Sequence, residues 1–368
     1  NYSFNYRYLY YFFVAKHIAD KVDDNKEVID SIIKNLHKDE NAYIAIFVSH
    51  HSQKDYILDE IILNAYMLFD MYSSASLSKE ELSFFDEQVD NIIKLVLPPS
   101  TSSPEIERDK RLKVQDKIEE DKSTDESKDD PTEDGTTPDD SPQNFELLLN
   151  LRRSIKTVEV MGRIIKNRAG SLERPRLEMI FEEAMNIHLR ILTSFFDLIK
   201  NDDKQSKIIE FITKRLKIFT DAKKEKRRQE GQKEKEFSSE ELEKLAKSIF
   251  WNTNFFVASG IIEKTVHSLG SDQLIDITEK VCNKIDSPAT FLIKHGILMW
   301  YRKQLEVDKI EKKFKEKEFS ETAKEILKFL IVEHCSIHKL TAQEKQTVES
   351  KLKISSKEML LKQISNKE

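Results

Sequence analysis

Residues 177–198 read LEMIFEEAMNIHLRILTSFFDL. Leu177, Ile180, Phe181, Ala184, Ile187, Ile191, Leu192, Phe195 and Leu198 recur at intervals of three and four, which on a helix of 3.6 residues per turn places them on one broad face. A half-buried strand would alternate, and this stretch does not. The spacing therefore predicts a long amphipathic helix, and the same period continues on both sides of it.

Upstream, Leu148, Leu149, Leu151, Ile155, Val158, Met161, Ile164 and Ile165 predict a helix over 145–167, with Gly170 placed for a left-handed cap after it. Downstream, helices are predicted over 208–219, 242–250, 255–269 and 274–285. Ser287-Pro288 places a cap and a first-turn proline before Phe291, Leu292, Ile297, Leu298 and Trp300. Further helices are expected over 326–334, after Thr341 with Glu344 as a capping box, and near Met359. The first hundred residues carry shorter stripes: Val28, Ile29, Ile32, Ile33 and Leu36; Tyr43, Ile44, Phe47 and Val48; Tyr56, Ile57, Ile61, Ala65, Leu68 and Phe69. Ser78 and Glu81 have capping-box spacing ahead of Leu82, Phe85, Val89, Ile92, Ile93 and Val96, which predicts one more helix before Pro98-Pro99.

Composition agrees with an all-α class. The 368 residues include only 7 Gly and 8 Pro, too few for a sandwich or barrel. Six of those prolines fall between 98 and 143, where the chain reads in part DKSTDESKDDPTEDGTTPDDSPQ. Between Pro98 and Phe145 fifteen acidic residues face seven basic ones, and few apolar side chains offset the entropy of ordering the chain. The expected organisation is a helical domain over 1–97, a disordered acidic linker over 98–143 and a second helical domain over 144–368, as two bundles or an irregular solenoid. With that acidic stretch set aside, the formal charge of -6 leaves the folded parts nearly neutral, which forces neither a nucleic-acid nor a membrane partner. The two cysteines, Cys282 and Cys335, lack metal-type spacing and fit a reducing compartment; no stretch is long and apolar enough for a membrane span, so a cytoplasmic location is expected.

Residues 1–16, NYSFNYRYLYYFFVAK, are half aromatic. Tyr2, Phe4, Tyr6 and Tyr8 alternate as on a strand, and Leu9, Phe12, Phe13, Ile18 and Val22 then follow helical intervals. Bulky residues on this many sides are expected to pack on material upstream as well as downstream. Tyr2, Phe4, Tyr6, Tyr8, Tyr10 and Tyr11 are the expected interdomain contact, with Leu9 and Phe13 turned toward their own bundle.

Catalytic motifs are sparse. GxxxxGK[ST] is absent, and no Gly-rich turn can present the backbone N–H groups that cradle phosphates. GxSxG and HExxH are absent as well. His50 and His51, adjacent on a helix, point about 100° apart and are poorly placed to share one ion. His334 and His338 share a face, but no third ligand of matching direction lies nearby. Arg152, Arg153, Arg163, Lys166, Arg168, Arg174 and Arg176 form a basic concentration that can meet an anionic partner, nucleic acid included, or pair with the neighbouring glutamates.

Two stretches carry a resemblance. YSFNYRYLYYFFVAKHIAD resembles the passage of NACHT-type and other STAND P-loop ATPases that leaves the winged-helix domain for a helical one, written FxFxHxxxQEFxAAxYL. Phe4 and Phe12 match its aromatics and Val14 and Ala15 its small pair; Tyr6 and Tyr11 stand where it often has His and Glu. Residues 151–190, LRRSIKTVEVMGRIIKNRAGSLERPRLEMIFEEAMNIHLR, are similar to the pattern RxxKTxEIxGQIxKNxxGSL of a bacterial STAND branch. The resemblance implies a non-catalytic C-terminal region that holds an upstream ATPase inactive until a trigger, expected to be a protein, binds. It also implies ATP and Mg on that upstream domain, no cofactor here, oligomerisation on activation, and a role in anti-phage defence or signal transduction. Two readings from other classes stand beside it: a helical nucleic-acid scaffold using Arg152 to Arg176, and an all-α enzyme with a metal on His334 and His338.

Overall fold

A computed structural model describes residues 6–52, 54–92, 96–97, 142–229, 237–338 and 340–356. The protein is all-α, with fourteen helices among the described residues. The first five are α1 (Arg7–Asp20), α2 (Lys26–Lys34), α3 (Asp39–His51), α4 (Tyr56–Tyr66) and the single turn α5 (Ser83–Asp86). After them come α6 (Pro142–Asn167), α7 (Arg174–Ile199), α8 (Asp202–Gln229), α9 (Ser239–Leu269) and α10 (Ile275–Ile285). The chain continues with α11 (Pro288–Arg302), α12 (Val307–Phe314), α13 (Glu321–Ile337) and α14 (Ala342–Leu352). Two two-residue strands, β1 (Val96–Leu97) and β2 (Ser355–Ser356), pair in parallel with Val96 opposite Ser355.

The stretch that opened the sequence reading is the centre of the fold. Helix α7 touches α4 on one side, α6 and α9 on others, and α10 as well, so it is buried well beyond a single stripe. Helices α1 to α4 pack together and reach the middle of the molecule through α3 against α6 and α4 against α7; α9 spreads over α6, α8, α11 and α13. Buried side chains from Tyr11 to Ile354 form one continuous core across both halves of the chain.

Local signals place the helix ends. Ser238 with Glu241, Ser287 with Thr290 and Thr341 with Glu344 each close a reciprocal capping box, in which the hydroxyl accepts the third backbone N–H and that residue's side chain accepts the cap's own. Asp286, Lys303 and Lys353 end α10, α11 and α14 in the left-handed conformation.

Several expectations need correction. The helix expected over 82–96 is broken: α5 spans four residues, a 3₁₀ turn covers Val89–Asn91, and β1 follows. Helices expected over 242–250 and 255–269 are one, α9, because the Asn252 amide donates to Ser248 O at 2.7 Å and to Asn91 O at 2.9 Å and so satisfies itself without breaking the helix. Gly170 lies in the turn after α6, held by Ser171 N–H to Arg168 O at 3.0 Å, without a left-handed backbone. Tyr8, expected on a strand, sits in the first turn of α1. Tyr2 and Phe4, the helix near Met359 and nearly all of the expected linker lie outside the described residues; Pro142 and Gln143, its last two, begin α6.

Candidate functional site

Helix α1 carries the aromatic cluster, and its own periodicity decides which rings face out. Tyr11, Ala15 and Ile18, at i, i+4 and i+7, form the buried stripe, and Val22 continues it just past the helix end. Tyr11 is 4% exposed and stacks on Tyr43 of α3 with ring centres 5.8 Å apart. Phe12 meets Phe47 edge-on at 5.9 Å and His51 at 4.8 Å, so Tyr43, Phe47 and His51, one turn apart on α3, receive α1. Tyr8 touches the edge of Tyr43 at 5.0 Å, reaches the Tyr43 hydroxyl with its own at 3.4 Å and meets Tyr11 edge-on at 6.2 Å, though more than half of it is exposed. Leu9, Tyr10 and Phe13 lie on the opposite face from the buried stripe, each about half exposed, with Tyr6 exposed just before the helix.

This corrects the expected orientation. Tyr11 belongs to the protein's own core, because stacking on Tyr43 fixes the register of α1 against α3. Leu9 and Phe13, expected inward, are then carried to the surface with Tyr10. The outward set is Tyr6, Leu9, Tyr10 and Phe13; the spacing of Ala15, Ile18 and Val22 accords with it, and the Tyr43 ring fixes it.

The basic residues do not converge on one face. Lys166 donates to His267 O at 2.7 Å and lies 5.9 Å over the Tyr301 ring; burial, helped by Arg163, lowers its ammonium pKa to about 8. It ties α6 to the end of α9. Arg168 donates to Ser49 O at 3.2 Å, joining α6 to α3. Arg174 reaches Asp276 at 2.9 Å, and Arg176 pairs with Asp59 of α4. Arg163 covers the Tyr43 ring at 5.4 Å. Arg152 is exposed and Arg153 half-buried on the first turns of α6 that carry described side chains. Five of the seven therefore stitch helices together, as their interleaving with apolar residues on α6 and α7 requires. Beside Arg168 and Arg176 lies a groove of about 520 Å³ that also carries His50, Asp55 and Glu173, so both signs of charge meet in it.

Histidine groups assemble no metal centre among the described residues. His50 and His51 have ring centres 5.7 Å apart, with His51 engaged by Phe12. His334 and His338 approach to 4.6 Å between ring centres, and His334 is buried, which lowers its pKa to about 4. No helix among the described residues is long and apolar enough to cross a membrane. With this geometry in hand, comparison finds no family model, no curated protein and no solved structure that matches the chain.

Proposed function

We propose that this chain is a non-catalytic regulatory and trigger-sensing region of a bacterial STAND-type ATPase, acting in the cytoplasm in phage defence or signalling. In this reading ATP and Mg bind an upstream domain, and the outward face of α1 docks on that domain in the resting state. One observation carries the proposal: Leu9, Tyr10 and Phe13 present an exposed apolar face on a helix whose other side is anchored by Tyr11, Ala15 and Ile18. An exposed apolar patch of this kind, with one hydroxyl-tipped ring at Tyr10, suits a surface that is wet in one state and covered in another. Helices of this kind, fixed on one side and apolar on the other, transmit a docking event to the core through α3 and α6.

The test uses the protein of the complete reading frame. Replacing Leu9, Tyr10 and Phe13 together by Ser should release the resting state and raise trigger-independent ATP hydrolysis by about tenfold, the size of a modest coupling energy. A hydrolysis rate equal to that of the unaltered protein, or a reading frame with no P-loop, refutes the proposal.

A further inference from the structure

We propose that the outward face of α8, with the cavity beneath its first turns, is a docking site for an acidic amphipathic helix of a partner protein. Helix α8 lies along α9 and makes a smaller contact with α7. Its inward side packs through Ile209 and Ile212. Ile208, Phe211, Ile218 and Phe219 fall within roughly a third of the helix circumference, as 100° per residue dictates, on the side that adjoins Ile212 and turns away from Ile209. Phe211 is 55% exposed, Ile218 63% and Phe219 66%. The stripe runs for about 16 Å, three helical turns, and offers roughly 450 Å² of apolar surface.

Two further observations say what covers it. The charged side chains within the stripe or on its edge are Lys204, Lys207, Lys214 and Arg215, all exposed cations. Lys214 pairs with Glu210 at 2.7 Å and Arg215 lies 5.3 Å from the Phe211 ring, while Lys204 and Lys207 have no carboxylate partner among the described residues. Asp203, Glu210 and Asp221 lie on the next flank, beyond Lys207 and Lys214. A second copy of the chain would bring cations against cations, so the complementary surface is acidic. Beneath the stripe, Phe195, Leu198, Ile199, Ile208, Ile212 and Phe250 line an apolar cavity of about 180 Å³. Ile208 is shared by stripe and cavity, which makes the cavity the seat for one large apolar anchor side chain. A fixed seat for one side chain is a feature of helix recognition, and a lipid surface has no use for it.

The probe is a hydrocarbon-stapled 16-residue helix with Leu at i, i+4, i+7 and i+11 and Glu on both flanks, followed by fluorescence anisotropy against the full chain. A second peptide carries Lys in place of each Glu, and vesicles of phosphatidylcholine with phosphatidylserine are the third arm. The Glu peptide should saturate in the micromolar range, bind about tenfold tighter than the Lys peptide, and weaken as salt rises. Phe211→Ser, Ile218→Ser and the double change Lys204→Glu with Arg215→Glu should each cost about tenfold; these side chains are on the surface, and unchanged circular dichroism will show that the fold is kept. Equal binding of the two peptides, no saturation of the Glu peptide, undiminished binding by the variants, vesicle binding lost with the same substitutions, or sedimentation as a dimer that Phe219→Ser dissociates, each overturns the proposal.

Discussion

Acidification from neutral to about pH 5 should remove about 6 kcal/mol of folding stability, and three histidines carry the loss. His188 is 1% exposed between α7 and α9. Thr265 Oγ1 donates to Ile261 O at 2.8 Å, so it accepts the His188 Nδ1–H, also at 2.8 Å, and Nε2 is left as a buried lone pair with no partner among the described residues. A proton placed there would be a charge without a counter-ion or acceptor. Burial, then Lys264, lowers the His188 pKa to about 3, with Glu159 opposing. His295 is buried with its Nδ1 3.7 Å from Glu306, too far to bond, and burial with Lys294 and Lys309 lowers it to about 3. His334 is lowered to about 4 by burial and His338, against a hydrogen bond to the Met299 backbone and the charge of Glu344.

The direction follows from proton counting. The unfolded chain takes up these protons as pH falls through about 6.5, whereas the folded chain takes them up only near pH 3 to 4, so the unfolded state binds more protons throughout that window. Stability is kept above about pH 6.5 and declines below it. At about pH 5 each histidine costs about 2 kcal/mol, a figure set by the unfolded value and insensitive to how far below 5 the folded one lies. Two carboxylates contribute as well: Glu159, desolvated but held below its usual pKa by Lys264 and Lys156, adds to acid loss only at lower pH, and Glu183, raised by burial against Arg190, opposes the loss as pH falls through its raised value. Since domains are stable by about 5–15 kcal/mol, most of the margin goes. Urea unfolding followed by circular dichroism at several pH values measures this directly. His188→Gln should flatten the pH dependence by about 2 kcal/mol whatever it does to stability at neutral pH. A stability constant from pH 7 to 5, or the same slope in His188→Gln, His295→Gln and His334→Gln as in the unaltered protein, would refute the reasoning.

Two further tests concern packing. A Cβ on Gly162 would stand 2.0 Å from the Ser268 carbonyl oxygen where α6 crosses α9, so Gly162→Ala should cost about 3 kcal/mol as the helices separate. At Gly260, also within a helix, a Cβ meets nothing within 4 Å, and Gly260→Ala should raise stability by about 1 kcal/mol; equal shifts in thermal unfolding for the two variants contradict this account. Asp86 accepts from Glu321 N at 3.1 Å, Thr322 N at 2.8 Å and Thr322 Oγ1 at 2.8 Å, so Asp86→Ala should cost about 2 kcal/mol, while Asp86→Asn keeps about half of it; urea midpoints compare the two.

The fold was legible wherever the signal is local. Helical period alone places α6, α7 and α11, and Ser287 and Thr341 mark their helix starts because a cap acts within three residues of itself. Orientation was less legible. Leu9, Tyr10, Tyr11 and Phe13 are equally apolar, and only the Tyr43 ring, thirty-odd residues away, selects Tyr11 for burial. The same holds for the arginines: sequence shows their density on α6 and α7 but not that Ser49 O, Asp59 and Asp276 await them. The exposed side of α8 was half legible, since the helix was plain and the exposure of Phe211 and Phe219 was not.

The segment between α4 and β1 shows most clearly how distant partners override a local pattern. Its apolar residues have helical spacing, yet its backbone hydrogen bonds go elsewhere. Ala75 N–H donates to Leu189 O at 3.1 Å, Lys79 N–H donates to Glu318 O at 2.8 Å, and Ser76 O accepts from Ala289 N at 2.9 Å. Leu77 O accepts from Ser320 Oγ at 2.9 Å, and Asn91 O from Asn252. Leu77 is fully buried with φ at 57°, a left-handed conformation that costs a side-chain-bearing residue about 1–2 kcal/mol. The Glu81 carboxylate offsets that cost by accepting the N–H groups of Ser76 and Leu77 at 2.8 and 2.6 Å. An unbroken helix through 82–96 would take Asn91 O into its own ladder in place of Asn252 and withdraw Phe85 from Trp251, 5.2 Å away. The segment thus fastens α7, α9, α11 and the start of α13 to the chain that follows α4, and with α3 against α6 and α4 against α7 it joins residues on both sides of the acidic stretch into one core.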